Sequence, residues 1–162
     1  MEMITTSGTS GTDLPPVASK PQGGGPAAQF FATARAAAPK IKMLTLAERL
    51  GFVTRLKKVV LEERESIMDA LQKDTGKSRS DALMSEIFAV LDHLAYLEKH
   101  AAKVLADRKA STPIALMGKA SWVYFEPMGT ILVISPWNYP FYQAIVPCVA
   151  AFVTGNAAVY KP

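Results

Sequence analysis

What the chain lacks narrows it first. It has one cysteine, Cys148, so no disulfide can close within it, and a reducing compartment such as the cytoplasm fits. It has two histidines, His93 and His100. Seven residues apart, they share a helical face, but without a third ligand they make a poor zinc site, and no metal is expected. No apolar run reaches the roughly 20 residues of a membrane span. The most apolar stretch, Ala144–Tyr160, is interrupted by Pro147, Thr154, Gly155 and Asn156. The opening Met-Glu-Met-Ile-Thr-Thr has neither a basic start nor an apolar core, so no secretory signal is expected. Charge of one sign is scarce too: the net is +4, spread along amphipathic segments. Solvated helix faces explain that pattern, and a nucleic-acid partner is not expected. Both glycine-rich nucleotide fingerprints, Gly-x-Gly-x-x-Gly and Gly-x-x-x-x-Gly-Lys, are missing.

What is present is a core's worth of apolar residues, 49% of 162. Residues 1–27 are rich in Ser, Thr, Gly and Pro and end in Gln-Gly-Gly-Gly-Pro. Such a segment buries too little apolar surface to offset its ordering entropy, so a disordered tail is expected. Helices follow. Ala27–Ala38 is Ala-rich. Thr45 and Glu48 form a capping-box signature that fixes a helix start. Leu46, Leu50, Val53, Leu56 and Val60 then recur at three- and four-residue steps. A further helix spans about Leu61–Lys73, with Gly76 as its cap. The next begins at Ser80 or Asp81 and runs to about Leu105, with Leu83, Ile87, Val90, Leu94 and Leu97 as its stripe and Glu86 lying on it. Residues 107–118 read as a connection, and Ala120–Phe125 as an aromatic strand.

The stretch that organises the rest is Phe125–Pro162. Thr130–Ile134 is a β-branched run that suits a strand buried on both faces. Ser-Pro-Trp-Asn-Tyr follows as a tight loop. Pro140 can sit in the first turn of a helix, where its missing N–H costs nothing. Gly155 and Asn156 stop that helix, both being residues that tolerate the left-handed conformation. Ala157–Tyr160 is a second strand. Strand, helix and strand of this length make one right-handed parallel crossover. Ligands of open α/β sheets bind beyond the carboxyl ends of the strands, which puts residues 135–139 and Lys161 on one edge.

These motifs resemble the aldehyde dehydrogenase superfamily: Glu126-Pro127-Met128-Gly129 before the strand, Pro136-Trp137-Asn138-Tyr139-Pro140 in the loop, and Gly155-Asn156 with Lys161-Pro162 at the end. Asp74-Thr75-Gly76-Lys77 is similar as well, although a glycine helix cap explains it equally. The resemblance implies an α/β fold, with a helical part over residues 28–118 leading into the start of a parallel, Rossmann-like sheet. Residues 119–128 would be the strand of an oligomerisation arm, and 129–162 the first βαβ unit of a cofactor-binding domain. The chain would be an N-terminal fragment of an incomplete fold.

The implied function is oxidation of an aldehyde to a carboxylic acid with NAD or NADP, in an enzyme that is a homo-oligomer when complete. Asn138 is the implied catalytic residue, its amide donating to the oxygen on which charge develops. On residue type alone it serves equally as a helix cap. Ile134, Ser135, Pro136 and Trp137 are implied to line the cofactor, much of it through backbone. Lys161 is implied to bind the adenosine ribose, and by residue type alone is also an ordinary solvated strand end. Cys148 lies in an apolar helix and reads as structural, so the isolated 162 residues are expected to be inactive. Pro147 beside it is expected to kink that helix. A non-catalytic nucleotide-binding or protein-interaction module stays open as the alternative.

Overall fold

The computed structural model describes residues 25–162, so most of the expected tail lies outside the described residues. Helix α1 (Pro26–Met43) opens with a proline in its first turn and runs through Pro39. It therefore extends past the expected end at Ala38. Pro39 forfeits one backbone bond, but Ala34 and Ala38 pack on Ala157, and Ile41 lies against the same cluster. That contact carries the helix beyond the proline.

Helix α2 (Leu46–Glu62) starts at the expected capping box. Thr45 Oγ1 accepts from the Glu48 N–H at 3.2 Å, and the Glu48 carboxylate accepts from the Thr45 N–H at 2.7 Å. The Thr45 N–H and, at 2.8 Å, the Thr45 hydroxyl both donate to the Glu48 carboxylate and hold its pKa below the usual range. Helix α3 (Arg64–Thr75) follows after a break at Glu63 and ends on Gly76. Gly76 has φ 72°, the left-handed conformation that glycine enters without a Cβ penalty.

A long rod comes next: α4 (Arg79–Asp81), a π-helical stretch (Ala82–Phe88) and α5 (Ala89–Val104) run on without a change of hand. The π stretch corrects the expected stripe. Leu83 is 39% exposed, whereas Ala82, Glu86 and Ile87 are buried. An i→i+5 turn takes up roughly one residue more than an α turn, so it rotates the residues before it off the apolar face. Val53, Val90, Leu94 and Ala101 form the core between α2 and α5, with Val153 joining from below. Val60, Met68, Leu71, Ala82 and Ile87 form a second core toward α3.

Strand β1 (Arg108–Ala110) lies inside the expected connection and pairs antiparallel with β2 (Ser121–Val123). Arg and Lys give it no strand signature of its own. Its conformation comes from the partner strand, which is why periodicity missed it. Thr112 Oγ1 accepts from the Ser121 N–H at 3.1 Å and closes the ribbon.

The strand, helix and parallel strand form as expected. Strand β3 (Thr130–Ile134), helix α6 (Pro140–Val153) and strand β4 (Ala157–Lys161) form a parallel unit, paired from Thr130 with Ala157 to Ile134 with Lys161. Helix α6 packs on the core through Phe141, Tyr142, Ile145, Val146 and Val149. Helix α1 reaches the opposite face of the sheet at Ala157 and Val159. The rest of that face is open: Leu132 is 62% and Ile134 66% exposed. Burial of β3 on both faces was expected and does not hold, because α1 lies mainly over β4 and leaves the end of β3 open. Among the described residues, no helix is long and apolar enough to cross a membrane.

Candidate functional site

The carboxyl edge of the two parallel strands gathers the expected residues. Ile134 pairs with Lys161 in the last register step, and the Ser135 N–H donates to the Lys161 carbonyl at 3.1 Å. The loop from Ser135 to Tyr139 therefore begins at the mouth of the sheet. Pro136, Trp137 and Asn138 all stand exposed on it, Trp137 at 82%. Lys161 is exposed at the end of β4, its Nζ donating to the Pro162 carbonyl at 3.2 Å. Beside them the open sheet face forms a groove with Phe30, Phe31, Leu132, Ile134, Tyr160 and Lys161. The groove is lined mainly by apolar and aromatic side chains, with Lys161 among them.

Two roles were open for Asn138, and the start of α6 bears on one of them. The cap position belongs to Tyr139, whose side chain makes no capping bond. Capping comes instead from Glu86, a residue 55 positions earlier. One carboxylate oxygen accepts from the Phe141 N–H at 3.0 Å and from the Tyr142 N–H at 2.9 Å. Its other oxygen takes Lys77 Nζ at 2.5 Å. The Asn138 amide is left with no hydrogen bond to another described residue.

The same contact explains a missing fingerprint. In glycine-rich dinucleotide folds, a phosphate occupies the N–H groups at the first helix after the first strand. Here Glu86 already holds those groups, so a phosphate has no seat at this helix end.

Two further contacts fix α6. Pro147 cannot donate to the carbonyl of Gln143, four residues back. The Ser135 hydroxyl donates to that carbonyl instead, at 3.0 Å. The Ser135 side chain is thus committed to the helix, and only its backbone is left to face a ligand. At the far end, Arg49 Nη1 donates to the Val153 carbonyl at 2.5 Å. An anion at the first turn and a cation at the last both complement the helix dipole.

The turn after α6 differs from expectation in one respect. Gly155 alone is left-handed, at φ 87°. A Cβ there would meet Arg49 Nη1 at 3.0 Å and Pro127 at 3.3 Å. Asn156 is instead a buried bridge: its Oδ1 accepts from the Gly129 N–H at 2.8 Å, and its Nδ2 donates to Thr154 Oγ1 at 2.9 Å. It ties the entrance of β3 to the exit of α6.

Cys148 lies on α6 among Phe52, Val53, Leu56, Val149 and Phe152. Burial pushes its thiol pKa up, so the nucleophilic thiolate is disfavoured. It stands eight residues along the helix from Pro140, about 12 Å at the helical rise. Among the described residues, no three His, Cys, Asp or Glu side chains stand together as a metal site.

Glu86 and Lys77 escaped the sequence reading as functional candidates. A carboxylate on an apolar stripe was the signal for the first. For the second, Gly76 explained the turn and left the adjacent lysine without a role.

Comparison with known proteins places these features. The model of the aldehyde dehydrogenase family matches residues 22–162. A 4,4'-diapolycopene aldehyde oxidase of a Methylomonas species is 38% identical over 135 residues, covering 83% of this chain and 26% of the relative. A Mycobacterium tuberculosis protein bearing the name succinate-semialdehyde dehydrogenase (NADP+) 2 is 38% identical, over 82% of this chain and 25% of its own length. The chain thus spans about a quarter of these relatives. Among solved structures, the substrate-bound AldH of Staphylococcus aureus superposes with a TM-score of 0.76 at 29% identity, over 83% of this chain and 29% of that one. A Streptococcus pyogenes succinic semialdehyde dehydrogenase in complex with NADP+ gives 0.74 at 24% identity over the same shares, a likeness of fold.

Proposed function

This chain belongs to the aldehyde dehydrogenase family, and on that premise we propose that it is the opening part of an enzyme that oxidises an aldehyde to a carboxylic acid with a nicotinamide cofactor. The observation that carries this reading is the unengaged Asn138 amide at the carboxyl edge of the sheet, released from capping by Glu86. A neutral N–H donor there suits an oxygen that gains charge when a thiolate adds to an aldehyde. It needs no proton transfer to do so, and one such donor is worth about 3–4 kcal/mol in a transition state.

The groove beside β3 and β4 supports a dinucleotide. Ile134 and the backbone from Ser135 to Trp137 would line it, and the Lys161 ammonium would meet the ribose hydroxyls or, with NADP, a 2′-phosphate. NAD and NADP are both compatible with that ammonium. The cofactor supplies the hydride acceptor when bound. Cys148 is unsuited as nucleophile, being half-buried with a raised thiol pKa, so the attacking cysteine belongs to the other three quarters of the family fold. The ribbon of β1 and β2, with Trp122, Tyr124 and Phe125 exposed, is the surface for a second subunit in a homo-oligomer. A cytoplasmic site of action goes with the lone, unpaired cysteine.

The test is Asn138→Ala in the full-length chain that carries these residues, with aldehyde oxidation followed by reduced-cofactor absorbance. The expected result is a fall in kcat of about 10²–10³ with cofactor affinity retained. An unchanged kcat overturns the oxyanion role. Residues 1–162 alone are expected to turn over no aldehyde.

A further inference from the structure

We propose that Glu86 and Lys77 are positioning residues for the Asn138 amide, an inference that rests on the oxyanion reading above. The loop from Ser135 to Tyr139 is held at both ends and free only in its middle. At one end the Ser135 hydroxyl is tied to the Gln143 carbonyl. At the other, Glu86 holds the N–H groups of Phe141 and Tyr142, and the Lys77 ammonium sits 3.9 Å over the Tyr139 ring. One carboxylate and one ammonium thus fix the residue after Asn138 and the two amides that follow Pro140.

The two charges are themselves tightly placed. Lys77 stands between Gly76, the left-handed stop of α3, and Ser78, whose Oγ accepts from the Asp81 N–H at 3.1 Å. Its backbone is therefore pinned on both sides. Glu86 sits in the π stretch, and its side chain is fully buried while that of Lys77 is 12% exposed. Such a turn inside a helix is often found at functional sites, and here it turns the carboxylate toward α6. An ionised cap in a dry setting holds geometry firmly, because moving either partner would leave a buried charge alone. Displacement of a catalytic group by an ångström can cost about 10²-fold in rate.

The experiment uses Glu86→Gln and Lys77→Met in the full-length chain, with Lys77→Arg as the conservative counterpart. Amide hydrogen exchange reads the loop without reference to activity. Phe141 and Tyr142 are expected to exchange about tenfold faster or more in Glu86→Gln, while Val90 and Leu94 are unchanged. In kinetics, Glu86→Gln and Lys77→Met are expected to lower kcat about tenfold or more with little change in aldehyde KM, and Lys77→Arg to restore most of it. Combined with Asn138→Ala, Glu86→Gln is expected to add almost no further loss, since it acts through that amide. Unaltered exchange at Phe141 and Tyr142, or losses that simply multiply in the double variant, overturn the proposal. A large loss in Asn138→Ala beside full activity in both Glu86→Gln and Lys77→Met overturns it alone. An unchanged Asn138→Ala overturns the oxyanion reading and this proposal with it. If Glu86→Gln does not fold, Lys77→Met carries the same comparisons.

Discussion

Lys77 and Arg79 are two residues apart, and both close ion pairs, yet they do different things. Arg79 reaches Glu65 and Asp69 on α3, and all three side chains are largely exposed. Lys77 reaches Glu86, and that pair is almost wholly out of water. Around Arg79, water screens the charges and would solvate each of them if the others were removed. Around Glu86, no water can replace a lost partner, and two backbone N–H groups depend on the same carboxylate. The difference teaches that an ion pair's importance lies in what is stranded when it breaks, more than in its Coulomb attraction.

Breaking the buried member should have the largest effect. Glu86→Ala is expected to destabilise the fold by about 3–5 kcal/mol, by leaving Lys77 and the α6 N–H groups unpaired. Urea unfolding measures it. A double replacement of Lys77 and Glu86 by apolar residues should recover part of that loss, which separates the stranded charge from the lost cap. A neutral version of the same logic sits at Ser135. Ser135→Ala should cost about 1–3 kcal/mol in urea unfolding, because the Gln143 carbonyl that Pro147 cannot serve is left without a donor. Ser135→Ala combined with Pro147→Ala should lose less than Ser135→Ala alone, since the helical N–H returns.

His93 is a titratable case. Burial lowers its pKa from the usual 6.5, Asp92 opposes the shift weakly, and its Nε2 has no partner among the described residues. The unfolded chain therefore takes up the proton more readily. This stability contribution is full above pH about 6.5 and is lost as pH falls through the depressed folded value. His93→Leu should show a shallower fall in Tm between neutral and mildly acidic pH than the parent. Arg79→Ala stands last: the smallest shift in urea unfolding of the series, vanishing in high salt. A loss as large as that of Glu86→Ala would erase the contrast.

Much of this fold was legible because its signals are local. The Thr45–Glu48 capping box, the Gly76 stop, and the strand, loop and helix from Thr130 to Val153 each announce themselves within a few residues. Asn138, Trp137 and Lys161 came to one edge because a parallel crossover leaves no other choice. The π stretch was not legible, since apolar spacing assumes one helical repeat and places Leu83 where Ala82 belongs. Strand β1 was hidden because its conformation is borrowed from β2. Asn156 was read as a turn former and is a buried bridge, a role that depends on Gly129. The cap of α6 was furthest from view. It joins a side chain to an amide 55 residues on, and such a contact leaves no period in the sequence.

That separation has a consequence for the order of events at the ribosome. Both ends of α6 are finished by residues translated earlier, Arg49 at its last turn and Glu86 at its first. Chains emerge at about 5–20 residues per second, and earlier segments can fold first. The helices from α2 to α5 can thus be in place before α6 is made, with both docking charges waiting. Docking α6 on that surface would bring β3 and β4, which flank it in the chain, side by side.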